Sequence, residues 1–349
     1  MINLAARRKR LKRKRPQEYL PVQFANAMIP NPESTLYDDV GGCQDHCMHH
    51  KKLMEQYGLS SSDEDCRNLA RTLFIVRDWM RTKQSYKIAK ELADDLFAMD
   101  DLTFPANSLR LPYRTIFMDF SDLGLPAAGT QVEGKDYIIY GVMMTLGDVM
   151  YYGEPGAMCG FVTILADKNG ISEETDICYG GIAFDYNTAD DGQTLKSQID
   201  ILTKDFTGPK DSLIKAMLFA AYLSSEQPDI EENEQQKSFY RPMAQQKKPL
   251  KTSSVRKWDV GIRYATEVKR YHEDSVHSAG TGNGTAKRPH IRKAHWHVYR
   301  YGKGRIQKKV LWIPPIEVNC KTKPELPVVV RKVSKPKEEQ NELEYTSEN

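Results

Sequence analysis

Four consecutive strand-like segments in the middle of the chain constrain its fold more than any other feature. Residues 114–120, 136–146, 157–166 and 177–186 are rich in β-branched, aromatic and other apolar side chains, and Gly-, Asp- and Asn-containing turns separate them. No helical pattern intervenes, so the expectation is a central, mostly antiparallel sheet.

A sheet needs cover on its apolar faces, and helical periodicity flanks it on both sides. Upstream, Ser62 or Asp63 can cap a helix in which Leu69, Leu73, Val76 and Met80 recur at helical spacing. A second helix fits 86–99, with Ile88, Leu92 and Leu96 on one face, before Pro105 and Pro112 break the pattern. Downstream, helices fit 194–205 and 210–225, the latter with a broad apolar stripe from Leu213 to Tyr222. Residues 226–254 are polar and read as a long loop. An amphipathic helix fits 258–273, a Gly/Thr loop 278–285, and a β-hairpin 291–301 with 305–313.

The chain therefore divides into a disordered basic arm (1–32), a helical section (33–105), an α+β core (106–226), a linker or long loop (227–257), a helix–hairpin unit (258–320) and a charged tail (321–349). The fold class is α+β: an N-terminal helical section, the central sheet with packed helices, and a C-terminal helix plus β-hairpin.

Charge is unevenly spread. Arg7, Arg8, Lys9, Arg10, Lys12, Arg13, Lys14 and Arg15 fill eight of nine positions, and residues 275–316 hold nine Lys or Arg and no acid. The formal charge is +3, so the remainder carries 3 − 8 − 9 = −14. Two positive zones on an acidic body read either as a solvated tail and a solvated hairpin face or as sites for a polyanion or an acidic peptide, and the first zone is expected to contact RNA. Apolar stretches are of strand length, far short of the roughly 18 residues a membrane span needs. A basic start without an apolar region behind it is not a secretory signal, so the expected location is the cytoplasm. In that reducing compartment the six scattered cysteines are expected as small buried hydrophobes.

Several motifs bear on chemistry. Cys43, His46, Cys47 and His49 crowd together, but a structural zinc site gathers ligands from two separated knuckles, and only Cys66 lies nearby. Gly280-Thr-Gly282-Asn-Gly284 lacks the flanking strand, Lys and helix of a phosphate loop. Asp119, Asp148, Asp167 and Asp185 sit near strand ends, where turn chemistry explains them as well as nuclease chemistry does. Neither metal nor cofactor is expected.

The block Arg288-Pro-His290-Ile-Arg292-Lys293-Ala-His295-Trp296-His297-Val-Tyr299-Arg300 is the most informative. Strand alternation places His295, His297 and Tyr299 on one face and Trp296 and Val298 on the other. With a three-residue turn at 302–304, Trp296 would oppose Val310 and His297 would oppose Lys309. Three readings stand: a recognition surface for RNA or peptide, histidines that only anchor the hairpin, and metal-independent RNA cleavage by His290, His295 and His297.

This block, with Val310-Leu-Trp312-Ile-Pro-Pro-Ile-Glu-Val-Asn319 after it, is similar to the C-terminal signature of the anti-CRISPR family that suppresses biogenesis of the type V-A effector nuclease. Gly261-Ile-Arg263-Tyr-Ala-Thr-Glu267-Val-Lys-Arg270-Tyr271 resembles that family's preceding helix. Leu109-Arg-Leu-Pro112 running into Phe117–Asp119 resembles its first sheet strand, and the segment ending Gln-Pro-Asp229-Ile230 resembles an earlier helix. The same signature occurs in phage and plasmid proteins. The resemblance implies an inhibitor that evades host defence by binding the N-terminal polypeptide of the nuclease as it is made and lowering its message, in association with ribosome and mRNA. The expected recognition residues are Arg288, His290, Arg292, His295, His297, Tyr299, Lys309, Arg263 and Glu267. The rival readings are the RNA-cleaving enzyme and a phage or plasmid nucleic-acid-binding regulator without a CRISPR target. The basic arm and the Cys/His cluster match nothing in the family.

Overall fold

The computed structural model describes residues 7–12, 19–29, 34–49, 63–99, 105–132, 135–167, 174–185, 194–203, 210–233, 255–277 and 290–318. One sheet holds nine described strands: β1 (Arg7–Lys12), β2 (Gln84–Ile88), β3 (Thr115–Asp119), β4 (Pro126–Val132), β5 (Lys135–Tyr151), β6 (Glu154–Asp167), β7 (Glu174–Asp185), β8 (Ile230–Glu232) and β9 (Arg256–Val260). Neighbours run β1-β7-β6-β5-β3-β2-β9-β8, and β4 also pairs with β5. The helices are α1 (Leu20–Met28), α2 (Val40–His49), α3 (Asp63–Thr82), α4 (Lys90–Phe97), α5 (Leu195–Thr203), α6 (Lys210–Leu223) and α7 (Ile262–His277). The class is α+β, with helices leading and a hairpin closing the described chain.

The alternation in β3 shows how the layers form. Ile116 and Met118 point into one core with Val142, Met144 and Phe161, which α4, α5 and α6 cover. Phe117, between them, points into a second core with Met143 and Val162, built by α1, α2 and α3. The sheet is thus buried on both faces, so the strand segments are nearly continuous apolar runs. A bulge at Ile139–Gly141 in β5 keeps both faces in phase. Gly141 is required there: an added Cβ would stand 2.3 Å from the Phe117 ring and 2.4 Å from the Met118 carbonyl oxygen.

Three departures from the sequence reading are short strands. The helix expected over 86–99 begins only at Lys90, because 84–88 is β2, paired in parallel with both β3 and β9. The helix expected from 258 begins at Ile262, because Arg256–Val260 is a strand. The expected loop at 226–254 supplies β8 at the sheet edge. β2 and β9 are five residues each and run directly into helical sequence, so local periodicity favoured helix while distant partners imposed strand; β8 is three residues in polar sequence and carries no periodic signal of its own. Gly261 makes the break into α7 with φ +81°, and an added Cβ would meet Leu92 at 2.5 Å.

The basic arm is a further correction. Arg7–Lys12 is an edge strand antiparallel to β7, with Arg10 opposite Asp176 and Lys12 opposite Glu174. Opposite charges across a ladder favour pairing, and basic residues are common protection on an edge strand. Residues 19–29, also assigned to the arm, include α1, whose Leu20, Phe24 and Met28 are buried. Arg13, Lys14 and Arg15, and the expected tail from 321, lie outside the described residues.

Polar joints tie the helical layers to the sheet. Asp78 of α3 accepts from Arg114 Nε at 3.0 Å, from Arg114 Nη2, and from the Thr115 hydroxyl at 2.6 Å. Asp39 caps α2 by accepting from Gly42 N–H at 2.8 Å and also accepts from Tyr152 and Gly153 N–H at 3.0 and 2.7 Å, holding the β5–β6 turn against that helix. On the other side, Tyr264 of α7 donates to Asp95 of α4 at 2.5 Å, joining those two helices.

Candidate functional site

Beyond α7 the chain forms β10 (His290–Arg292), β11 (His295–Tyr301), β12 (Gln307–Ile313) and β13 (Ile316–Val318). β11 and β12 pair as a hairpin, while β10 pairs with β13. The connection is five residues long, with a 3-10 turn at Lys303–Arg305 closed by Arg305 N–H donating to the Gly302 carbonyl at 3.1 Å. Trp296 therefore opposes Trp312, Val298 opposes Val310, and Tyr299, not His297, opposes Lys309. The register expected from a three-residue turn is shifted by two positions. An even shift keeps every side chain on its assigned face.

The inner face is core. Trp296 and Val310 are buried, the two indoles meet edge to face at 4.8 Å, and Trp312 meets Tyr222 of α6 at 6.2 Å. The outer face carries His295, His297, Tyr299 and Tyr301 from β11, with Lys309, Leu311 and Ile313 from β12. His297 and Tyr299 are exposed, and their rings lie 4.2 Å apart. His295 is half-buried, with Nδ1 3.1 Å from the Lys293 carbonyl oxygen, so the anchoring reading fits this histidine. Lys309 pairs with Glu226 at 3.1 Å and stands over the Tyr301 ring at 5.4 Å.

A cleft of ≈ 570 Å³ opens along the outer edge of β12. Its walls are Pro105, Ser108, Leu109 and Arg110, the end of α6 with Ala221, Ser224 and Glu226, and Ile306, Lys308, Lys309 and Val310. Val310 C=O accepts from Glu226 N–H at 3.3 Å on the edge away from β11. Backbone groups alternate edges along a strand, so those of Lys308 also point along this edge. Ser224 Oγ braces the opposite wall, accepting from Arg110 N–H at 2.8 Å and donating to the Arg110 carbonyl at 2.6 Å. The Leu109-Arg110 segment, matched above to a strand, is cleft wall ahead of β3. Its partners at 221–226 and 306–310 are distant in sequence, and no spacing signals the assembly.

The other expected site residues scatter. Arg263 donates to Asp229 at 2.6 Å and lies 3.3 Å from Glu231. Asp229 also accepts from the N–H groups of Arg263 and Tyr264 at 2.8 and 3.1 Å, capping α7, while its own N–H donates to the Tyr222 hydroxyl at 3.0 Å. Arg263 is thus part of a structural knot. Glu267 is half-buried on α7, and Arg292 is exposed. Arg288 and the His290 side chain lie outside the described residues, so the proposed histidine trio is not brought together by what is described.

Cys43 and Cys47 point into the core beside Cys66, while His49 is exposed on the same helix, with Nδ1 2.7 Å from the Asp45 carbonyl oxygen. Burial pushes the Cys43 thiol up and the Cys47 thiol up to about 12, which disfavours the thiolate that binds metal. No metal-ligating cluster of three occurs among the described residues. Nor is any described helix long and apolar enough to cross a membrane.

Comparison with known proteins gives this geometry a context. Protein FinQ of Escherichia coli is 29% identical over 140 residues, spanning 38% of this chain and only 40% of FinQ. The crystal structure of AcrVA2 superposes with a TM-score of 0.52 over 87% of this chain and all of that one, at 19% identity, and so shares the fold. A model of the AcrVA2-like, anti-CRISPR type V subtype A2 family matches residues 86–320, which takes in the sheet from β2 onward, the cleft and the hairpin. That match covers more than half of the chain, and the chain belongs to the anti-CRISPR type V subtype A2 family.

Proposed function

We propose that this protein is an inhibitory binder that takes up the nascent N-terminal polypeptide of a type V-A effector nuclease and thereby lowers the nuclease's production in the bacterial cytoplasm. The observation that carries the reading is the cleft beside β12. It combines an edge of β12 that no described strand pairs and that Glu226 N–H meets at Val310, apolar walls at Leu109, Val310 and Ile306, and cations at Arg110 and Lys308. An extended peptide adds main-chain hydrogen bonds to such an edge while the walls read its alternate side chains. The volume lies within the range typical of ligand sites. Of the residues expected from sequence, Lys309 lines this cleft, whereas His297 and Tyr299 lie on the hairpin's outer face.

The test is binding of a labelled peptide of the nuclease's N-terminal residues. Ser108→Trp, which fills the mouth, and Arg110→Glu, which reverses a rim charge, are each expected to weaken binding at least about tenfold, or 1.4 kcal/mol. Ser108 closes a one-turn 3-10 helix, Ala106–Ser108, and its hydroxyl donates to the Pro105 carbonyl at 2.6 Å, so melting is followed beside binding. Arg110 lies outside any helix or strand, and its variant is expected to melt near wild type. Unchanged binding by both folded variants would sink the assignment.

A further inference from the structure

We propose that the outer side of the β11–β12 hairpin is a binding surface for single-stranded RNA, with exposed aromatic rings as stacking platforms and the cations of its root and tip as phosphate contacts. This goes beyond the peptide reading: it uses the face of the hairpin, where the peptide would use an edge, and it stands without that reading.

Charge is the first argument. Residues 290–313 contain seven Lys or Arg and no Asp or Glu. Lys309 alone is paired, with Glu226. Arg292, Lys293, Arg300, Lys303, Arg305 and Lys308 are all exposed and form no ion pair among the described residues. A fold of acidic balance elsewhere has left these cations unneutralised, which is the footprint of a polyanion partner.

The rings are the second. Tyr299 and Tyr301 are 43% and 46% exposed, and His297 stands at a steep angle to Tyr299, making an open aromatic corner. On one face of a strand these side chains recur at about 6.6 Å, twice the rise per residue, so successive unstacked bases can reach successive rings. An acidic peptide would use the cations but has no need of exposed rings. A duplex would satisfy the cations but keeps its bases from the rings.

The test is fluorescence anisotropy of a labelled short oligouridine with the full chain, over a range of salt. Wild type is expected to bind with an affinity that falls steeply with salt. Lys303→Gln with Arg305→Gln is expected to flatten the log–log salt slope by about 1.4, two contacts at about 0.7 each on a single strand. Tyr299→Ala is expected to weaken binding about tenfold at every salt concentration without changing the slope, and Tyr299→Phe to bind like wild type. Melting is followed in parallel, and if Tyr299→Ala unfolds, the slope of the Lys/Arg variant still decides. All of these variants are expected to bind the nuclease peptide normally, so failure of one proposal is separable from failure of the other. The proposal is overturned if the hairpin variants bind RNA like wild type, if loss follows instead from removing residues 1–12, or if an RNA duplex competes as well as the single strand.

Discussion

The two basic segments of this chain look alike in sequence and differ in structure. Residues 7–12 hold five cations, but they are built into the edge of the main sheet, with Glu174 and Asp176 in register opposite Lys12 and Arg10. The hairpin holds seven in residues 290–313, is anchored by two tryptophans from below, and exposes six cations without an acid partner among the described residues. Density of positive charge along a chain therefore does not tell how the segment is held: one is a rung of the nine-stranded sheet, the other a separate hairpin.

The largest effect that bears on this contrast is loss of the hairpin's anchor. Trp296→Ala removes a buried indole and is expected to cost about 3–5 kcal/mol, seen as a lower melting temperature and lost amide protection in β11 and β12. β1, at the edge of the nine-stranded sheet to which the hairpin does not belong, is expected to keep its protection under native conditions. Equal loss in both would show that the two segments are not independent.

A smaller effect tests the other side. Glu174→Gln with Asp176→Asn removes the opposing charges at about 0.2–1 kcal/mol per pair. Hydrogen exchange of residues 7–12 should accelerate while global melting barely changes. If exchange there is unaltered, the acids do not hold the strand.

The smallest is a response to acid. Partial burial pushes the Asp39 carboxyl up, but N–H donors from Gly42, Gly153, Tyr152 and Gly41 outweigh it and hold the group below its ordinary value. A group depressed in the folded state contributes stability above its unfolded pKa of about 4, and the contribution is lost as pH falls through the folded value. The β5–β6 turn should therefore loosen from α2 in acid. The hairpin, anchored by the Trp296–Trp312 contact and touched by a carboxylate only at the surface pair Lys309–Glu226, should hold better in that range, and exchange measured at both sites checks it.

The parts legible in sequence were those whose pattern is local and long. β5, β6 and β7, the stripe of α6 and the inner and outer faces of the hairpin follow from residue periodicity alone. The face assignment survived even a wrong turn length, because the two-residue error equals the strand period. β2 and β9 were hidden because five residues leading into a helix extend the helical rhythm, and only pairing with each other and with β3 makes them strands. The cleft was hidden for a different reason. Arg110, Ser224 and Val310 belong to three distant segments, and closeness in space leaves no spacing rule to read.

The Asp229 knot has a consequence for how such chains diverge. One carboxylate joins the end of the α6 region to the start of α7 through Arg263 and two backbone N–H groups, and its own N–H is held by Tyr222. A lineage that alters Asp229 must re-satisfy several donors together, so Asp229 and Arg263 should change as a set or stay. The hairpin's exposed cations, which form no ion pair among the described residues, are under no such joint constraint and are free to drift one by one. Descendants of one ancestor can therefore keep the recognisable Pro-Asp-Ile and Gly-Ile-Arg-Tyr landmarks while that surface changes, and the landmarks record ancestry.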